Sequence, residues 1–250
     1  ALILGITMNI LFMLFALEAR HPFLAGLMLG LGMATRTPLA FAVVFFALEL
    51  LRDGDRMRWP GWAPLLKKGA LFALPVLAVG IALMAYNLAR FDNAFEFGHT
   101  YLANGTRPSI REHGLFSPWF LKNNLAAFLS NPLVIDGTKP FVHVTLHGLS
   151  LFVCTPALLW LLWPRRWSKL AMNLAIAAAC LAIPNLFYQN TGWRQFGYRF
   201  ALDFMPYLFA LLAVGSARFS RLFYVAVVLS LLVNAFGAVT FDRMGQFYYD

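Results

Sequence analysis

Charged residues are scarce in this sequence: they make up 12% of its 250 residues. A typical soluble domain carries about 25% charged residues, so too few charges are present to cover a water-soluble globule of this size. Hydrophobic residues account for 60% of the chain, and the mean hydropathy is +0.67. This composition excludes a soluble enzyme and a disordered chain. It predicts an all-α, polytopic bundle of transmembrane helices.

Cysteine is also scarce, which excludes a disulfide scaffold. The two cysteines, Cys154 and Cys180, both lie within apolar runs, where cysteine behaves as a small buried hydrophobe. The sequence also lacks a phosphate-binding glycine loop, a Ser-His-Asp arrangement and a cysteine-rich metal motif. These gaps remove the most common soluble catalytic chemistries from consideration.

Acidic residues are fewer than basic ones, and the net charge is +9. In a soluble protein this charge would favour nucleic-acid binding. In a membrane protein, Lys and Arg accumulate in cytoplasmic loops and beside anionic headgroups. We therefore expect membrane lipids, and no nucleic acid, as partners.

The chain begins within an apolar stretch, without an initiator Met and without the basic region that a signal peptide requires. We therefore expect residues 1–250 to form a single integral membrane domain that is the C-terminal part of a longer protein.

Apolar runs long enough to enter a bilayer recur along the chain. An arginine in the middle of one long span would be costly, and Pro38 disfavours helical geometry at Thr37, so residues 23–51 are interpreted as two short helices joined by a turn at Arg36. The pattern predicts eight membrane segments, at residues 1–17, two within 23–51, and at 69–89, 148–163, 170–188, 200–215 and 222–240.

The longest polar stretch, residues 90–147, is predicted to form a large extracytoplasmic loop with short helices, one of them amphipathic at Pro118–Leu129. The orientation follows from the basic short loops, because Lys and Arg concentrate on the cytoplasmic side. These are the 52–68 loop, Arg20, the 165–169 cluster and the Arg218–Arg221 loop. We expect a bacterial inner membrane with substrate chemistry on the extracytoplasmic face.

The densest polar cluster is the segment Gln189–Asp203. Arg194 and Arg199 lie in this short outer loop, and Asp203 follows Arg199 by four residues, a spacing that favours a salt bridge on a helix. A pair of arginines suits a planar anion such as phosphate. The alternative is that both arginines reach toward lipid headgroups and form a structural ion pair.

Two other places on the predicted outer face carry candidate chemistry. Arg36 requires a counter-anion, which could be a lipid phosphate, Glu96 or Asp203. Residues 86–100 alternate aromatic and acidic side chains, so Asp92, Glu96 and His99 could bind sugar hydroxyls, unless this segment is only an interfacial aromatic belt.

Two spacings favour structural roles. His143 and His147 are four residues apart, but they lack the glutamate and the third ligand of a zinc signature, so we expect no metal site. Gly26 and Gly30 form a GxxxG pattern, which predicts close packing of their helix against a neighbour.

Three segments resemble one family of membrane enzymes. They are the glycine-rich stretch Ala25–Pro38 with its Thr-Arg-Thr-Pro ending, the segment Tyr86–Gly98, and Gln195–Pro206 with the sequence QFGYRFALDFMP. Their order and topology resemble the polytopic type C glycosyltransferases. That family includes the dolichyl-phosphate-mannose protein mannosyltransferases and the bacterial aminoarabinose transferases.

The resemblance implies a membrane glycosyltransferase that moves a sugar from a polyprenyl-phosphate donor to a lipid, glycan or protein acceptor. It places the residue matching Arg36 near the donor phosphate. It also implies that the catalytic acid lies in an outer loop upstream of Ala1, so the catalytic residue is unknown here. A divalent metal cofactor stays open, with no ligand cluster to hold it. The substrate-binding candidates are Arg36, Glu96, His99, Arg194, Tyr198, Arg199 and Asp203.

Three other function classes remain open. A transporter or flippase would normally show repeated halves and broken helices with polar groups at mid-membrane. A glycan polymerase or ligase of another fold would also use outer-face arginines. A non-catalytic membrane subunit would only pack against partners.

Overall fold

The computed structural model of the chain describes residues 1–98, 108–137, 139–215 and 219–248. The protein is mostly helical, as the composition predicts. The only strands in the described ranges form two short antiparallel ladders: β1 (Arg52–Asp53) with β2 (Arg56–Met57), and β3 (Val134–Ile135) with β4 (Val142–His143). The chain divides into two compact units. The first comprises residues 1–114, 167–181 and 202–207, and the second comprises 115–166, 182–201 and 208–250.

Ten α-helices occur in the described part of the chain. They are α1 (Leu2–Ala16), α2 (Pro22–Thr35), α3 (Val43–Leu50), α4 (Trp62–Phe91), α5 (Pro108–His113), α6 (Leu121–Leu129), α7 (Leu151–Cys154), α8 (Lys169–Phe187), α9 (Met205–Val214) and α10 (Arg221–Thr240). Short 3-10 segments extend or join them at Leu17–Ala19, Thr37–Ala42, Pro118–Phe120, Pro156–Leu162, Arg199–Asp203 and Gly245–Phe247.

Four helices within the described residues are long and apolar enough to cross a membrane. They are Leu2–Ala19 (α1 with its 3-10 extension), α4, α8 and α10. Most of the side chains on α4 and α10 are not covered by protein, which suits helices surrounded by lipid. These helices indicate a membrane protein. Three further apolar helical segments, Pro22–Thr35, Thr37–Leu50 and Met205–Val214, are shorter.

The predicted break at Arg36 is confirmed. Arg36 is extended (φ −150°, ψ 106°), and it separates α2 from the 3-10 segment that leads into α3. We predicted that Thr37 would leave helical geometry, but Thr37 begins the 3-10 segment and the extended residue is the one before it. Pro38 is tolerated there because the first N–H groups of a helix have no helical partner.

Two predicted spans are not continuous α-helices. Residues 148–163 form α7 and then a 3-10 segment, with a break at Thr155 (φ −137°, ψ 72°), because Pro156 disfavours helical geometry in the residue before it. Residues 200–215 form a 3-10 segment followed by α9, in which Pro206 occupies the second position. In both places a proline interrupts or begins the helix, and the length of an apolar run does not reveal this effect.

The span predicted at residues 69–89 is longer in the structure. The helix α4 begins at Trp62 and ends at Phe91, and it therefore includes Lys67 and Lys68 in its first two turns. Thirty residues rise about 45 Å, which exceeds the hydrocarbon core of about 30 Å. A helix of this length crosses the apolar layer either tilted or with an end outside it.

The core of the first unit is aromatic. The rings of Phe46 and Phe72 stack with centroids 4.0 Å apart, and Phe12 meets both Phe72 and Phe45 at 6.4 Å. Tyr207 packs edge-on against Phe45 at 5.6 Å and is fully buried. These rings join α1, α3 and α4 to the start of α9.

The second unit has two apolar clusters. One is built on Val144, Leu149, Cys154 and Tyr248, and the other on Ala157, Leu212, Phe223 and Ala226. The amide of Asn234 on α10 donates to the Cys154 carbonyl at 2.7 Å. This bond satisfies a carbonyl at the α7 break, which has no helical partner there.

Close packing of α2 against α4 confirms the interpretation of the glycine pattern. A Cβ on Gly26 would lie 2.0 Å from the Phe72 carbonyl oxygen, and one on Gly30 would lie 3.1 Å from the Val79 side chain. Only a residue without a side chain permits the backbones to approach this closely.

We predict that Gly26→Ala destabilises the protein by about 3 kcal/mol, because the added carbon meets backbone that cannot rotate away. Gly80→Ala on α4 is the matched control, since a Cβ there meets nothing within 4 Å. It should leave stability unchanged or raise it slightly. Thermal unfolding of the detergent-solubilised variants measures both, and equal stabilities would contradict the packing argument.

Candidate functional site

The first unit contains a buried ion pair between Arg36 and Asp203. The Nε and Nη2 atoms of Arg36 donate to the two carboxylate oxygens of Asp203, at 2.5 and 2.6 Å. The Asp203 side chain is 1% exposed and the Arg36 side chain 15%. This two-bond geometry fixes the plane of the guanidinium group. Asp203, one of the counter-anions expected from the sequence, is therefore the partner of Arg36.

An amide on α1 supports this pair. The Nδ2 atom of Asn9 donates to the backbone carbonyl of Asp203 at 2.6 Å, and its Oδ1 accepts from the Tyr207 hydroxyl at 2.9 Å. One turn earlier, Gly5 provides room for the pair, because a Cβ there would lie 3.2 Å from Cδ of Arg36. Gly5 and Asn9 are four residues apart, so they share one face of α1.

The local sequence explains how these groups meet. Arg36 lies at the break that ends α2, and Asp203 lies at the end of a 3-10 segment just before α9. Both positions are element ends, where the backbone turns and a charged side chain can reach inward. A charge in an apolar interior requires a partner, and removal of one member of a buried pair typically destabilises by about 3–5 kcal/mol.

The other candidate residues of the first unit lie in the segment that follows α4. The Glu96 side chain is partly buried, and its backbone N–H donates to the Asn93 carbonyl. Asp92 has a left-handed backbone (φ 54°) where α4 ends. His99 lies outside the described residues. Sugar binding by this segment stays a prediction.

Three candidates lie in the second unit. Arg194 and Arg199 are exposed, and the Arg199 guanidinium lies over the Phe200 ring, 5.6 Å from its centroid. The Tyr198 ring is buried and packs against Phe128 and Phe200. The predicted Arg199–Asp203 bridge stays a prediction.

Gln195, which is buried, organises this loop. Its Nε2 atom donates to the carbonyls of His147 and Thr191, both at 2.8 Å, and its Oε1 accepts from the Arg199 N–H at 3.1 Å. Gly192 allows the close approach, since its φ is +107° and a Cβ there would meet the Gln195 amide. The backbone positions of Arg194 and Arg199 therefore depend on Gln195.

His143 and His147, for which we expect no metal, lie in different environments. His143 pairs with Val134 in the ladder of β3 and β4. The Nδ1 atom of His147 lies 2.7 Å from the Thr191 hydroxyl, and its ring meets Trp193 edge-on at 5.3 Å. Within the described ranges, no group of three potential metal-ligating side chains occurs.

A second polar cluster in the first unit escaped sequence reasoning. Glu49, at the end of α3, is fully buried and accepts from Asn173 of α8 at 2.8 Å and from Arg52 at 2.7 Å. Its hydrogen bonds raise the pKa of Arg52 above its ordinary value. The Glu18 backbone N–H also donates to Glu49 at 2.9 Å. The sequence signals are a Glu and an Asn that each stand within an apolar run.

Comparison of the chain with known proteins finds no matching family model, no matching curated protein and no matching solved structure.

A double-mutant cycle tests the ion pair. Arg36→Met and Asp203→Leu should each lower the free energy of unfolding by about 3 kcal/mol, because each leaves a buried charge without its partner. The double variant should be more stable than either single variant, since it buries neither charge. Thermal unfolding in detergent gives the comparison, and additive losses in the double variant would argue against direct coupling.

Gln195→Leu should destabilise the second unit by about 2–4 kcal/mol, because two carbonyls and one N–H lose their partner. Gln189→Leu is the control in the same loop, since the buried Oε1 of Gln189 makes no hydrogen bond in the described part of the structure. Hydrogen exchange of the 190–199 amides reports the loop directly. Equal protection in both variants would refute the organising role of Gln195.

Proposed function

We propose that the protein is a membrane glycosyltransferase that takes a sugar from a polyprenyl-phosphate donor. One observation carries this proposal. Arg36 and Asp203 belong to two separate segments that resemble type C glycosyltransferases, and the two side chains form one buried ion pair. The four apolar helices suit an enzyme whose donor is itself a membrane lipid. The resemblance supplies the reaction class.

In the proposed reaction, the acceptor hydroxyl oxygen forms a bond to the anomeric carbon of the sugar. The bond from that carbon to the phosphate oxygen breaks, and its electron pair leaves with the lipid phosphate. The hydroxyl proton passes to a carboxylate base. Cations are needed where negative charge develops on the leaving phosphate.

Arg36 is the proposed phosphate ligand in the first unit. Asp203 holds its guanidinium in one orientation, so the group needs little reorganisation when charge develops. Both carboxylate oxygens of Asp203 accept from Arg36, and this suits an orienting role better than that of a general base. In the second unit, Arg194 and Arg199 are exposed on the Gln195-organised loop, where they could bind an anionic part of the donor or acceptor.

Eight membrane segments, an extracytoplasmic active face and the bacterial inner membrane belong to the same proposal. So does a large outer loop at residues 90–147 that carries the acceptor or sugar contacts of Glu96 and His99. Cysteine labelling of the 52–68 loop and of the 108–113 helix from opposite sides of the membrane tests the orientation.

We predict that Arg36→Gln lowers kcat/KM for the polyprenyl-phosphate sugar by about 10–100-fold, because a charge-assisted bond to the phosphate is lost. Transfer of radiolabelled sugar is measured in membranes that contain the intact protein, with lipid monophosphate and lipid diphosphate donors in parallel. Arg243→Gln removes an exposed arginine outside the candidate set and should leave transfer unchanged.

A second variant distinguishes a purely structural role of Arg36 from binding of the donor phosphate. Arg36→Gln with Asp203→Asn places an amide at each position and buries no charge. If this variant is stable and transfers sugar normally, the phosphate role is wrong. If all variants show normal sugar transfer but lose solute uptake or lipid scrambling, the protein is a transporter or flippase instead.

A further inference from the structure

A pocket of about 420 Å³ lies in the first unit, at the end of α2 away from Arg36. The end of the first spanning helix, the hairpin of β1 and β2 and the start of α4 form it. Four cationic side chains and two carboxylates contribute to its lining. They are Arg20, Arg52, Arg58, Lys68, Glu18 and Asp53.

Two of the four cations are held by close carboxylates. The Nη2 atom of Arg20 lies 2.6 Å from Glu18, and that of Arg52 lies 2.7 Å from the buried Glu49. Glu49 thereby holds Arg52, which lines the pocket, through three hydrogen bonds. These two pairs leave little of their charge uncompensated.

The other two cations are less compensated. Arg58 lies 3.7 Å from Asp53, and both side chains are more than two-thirds exposed, so water screens this pair strongly. The ammonium of Lys68 lies 3.5 Å from the Glu18 backbone carbonyl. Across the described ranges, no carboxylate lies within 4.0 Å of it. The pocket therefore has an excess of positive charge.

Two indole rings lie beside this charge. Trp59 lines the pocket, and its ring meets Trp62 edge-on with centroids 5.0 Å apart. The two residues are 53% and 69% exposed. Tryptophan favours the level of the lipid headgroups, because its ring is apolar and its N–H is polar. The pocket thus combines cations with the side chains that mark a membrane interface.

We propose that this pocket binds a phosphate-bearing anion, with Lys68 and Arg58, its two less compensated cations, as the direct ligands. Lysine serves as a point charge for phosphate, and arginine adds directed N–H donors. A phospholipid headgroup and free phosphate share this chemistry. The exposed indole pair favours the headgroup of an anionic lipid. The site is about 20 Å from Arg36 along α2, and the proposal does not rest on the proposed sugar transfer.

Thermal unfolding of the detergent-solubilised protein tests binding with three additions: short-chain phosphatidylglycerol, phosphatidylcholine of the same chain length, and inorganic phosphate against sodium chloride at equal ionic strength. Phosphatidylglycerol should raise the unfolding midpoint in a concentration-dependent way, and phosphatidylcholine should not. A shift with phosphatidylglycerol alone identifies a lipid headgroup as the source. An equal shift with inorganic phosphate supports the site with a soluble ligand. No anion-dependent shift overturns the proposal.

Adjacent lysines provide matched variants. Lys68→Gln should weaken the apparent affinity for phosphatidylglycerol about tenfold, the loss expected for one charge-assisted hydrogen bond. Lys67→Gln makes the same charge change at the next residue, which is exposed and does not line the pocket, so its affinity should stay within about twofold. Equal loss in the two variants would show general charge attraction and would overturn the site.

Discussion

The ion pair between Arg36 and Asp203 is the constraint on which the first unit depends. An arginine at the break between two apolar helical segments has little water around it, so a carboxylate must accompany it. Asp203 satisfies this requirement from a segment more than 160 residues further along the chain. Asn9 then binds the Asp203 carbonyl and the Tyr207 hydroxyl. The end of α2, one face of α1 and the start of α9 are thus held together by polar contacts.

The same rule applies where α3 ends. Glu49 is fully buried, and Arg52, Asn173 and the Glu18 backbone all bind its carboxylate. The buried charges Arg36, Asp203 and Glu49 therefore lie at helix ends or breaks. Two amides within helices, Asn9 and Asn173, bind them or their backbone. In the second unit, the neutral side chain of Gln195 satisfies buried backbone groups in the same way. Its amide satisfies loop carbonyls that no helix or strand uses.

Sequence reasoning found the long elements because their signal is long. The apolar runs predicted at residues 1–17, 170–188 and 222–240 match helices, and the break at Arg36 follows from a charge and a proline in one apolar run. The breaks at Thr155 and before α9 were not predicted, because the length of an apolar run does not show where a proline interrupts the helix. The roles of Asn9 and Gln195 could not be predicted. Their partners are backbone carbonyls or distant hydroxyls, which have no sequence signature.

Stability alone does not explain the Arg36–Asp203 pair. A buried ion pair can often be replaced by apolar residues of similar volume without loss, and sometimes with a gain, because desolvation offsets much of the attraction. Purely apolar contacts could therefore hold the same segments together. What apolar contacts cannot provide is a guanidinium of fixed orientation in a membrane-embedded unit. Under the proposed function, that property is the one that a lipid-phosphate leaving group requires.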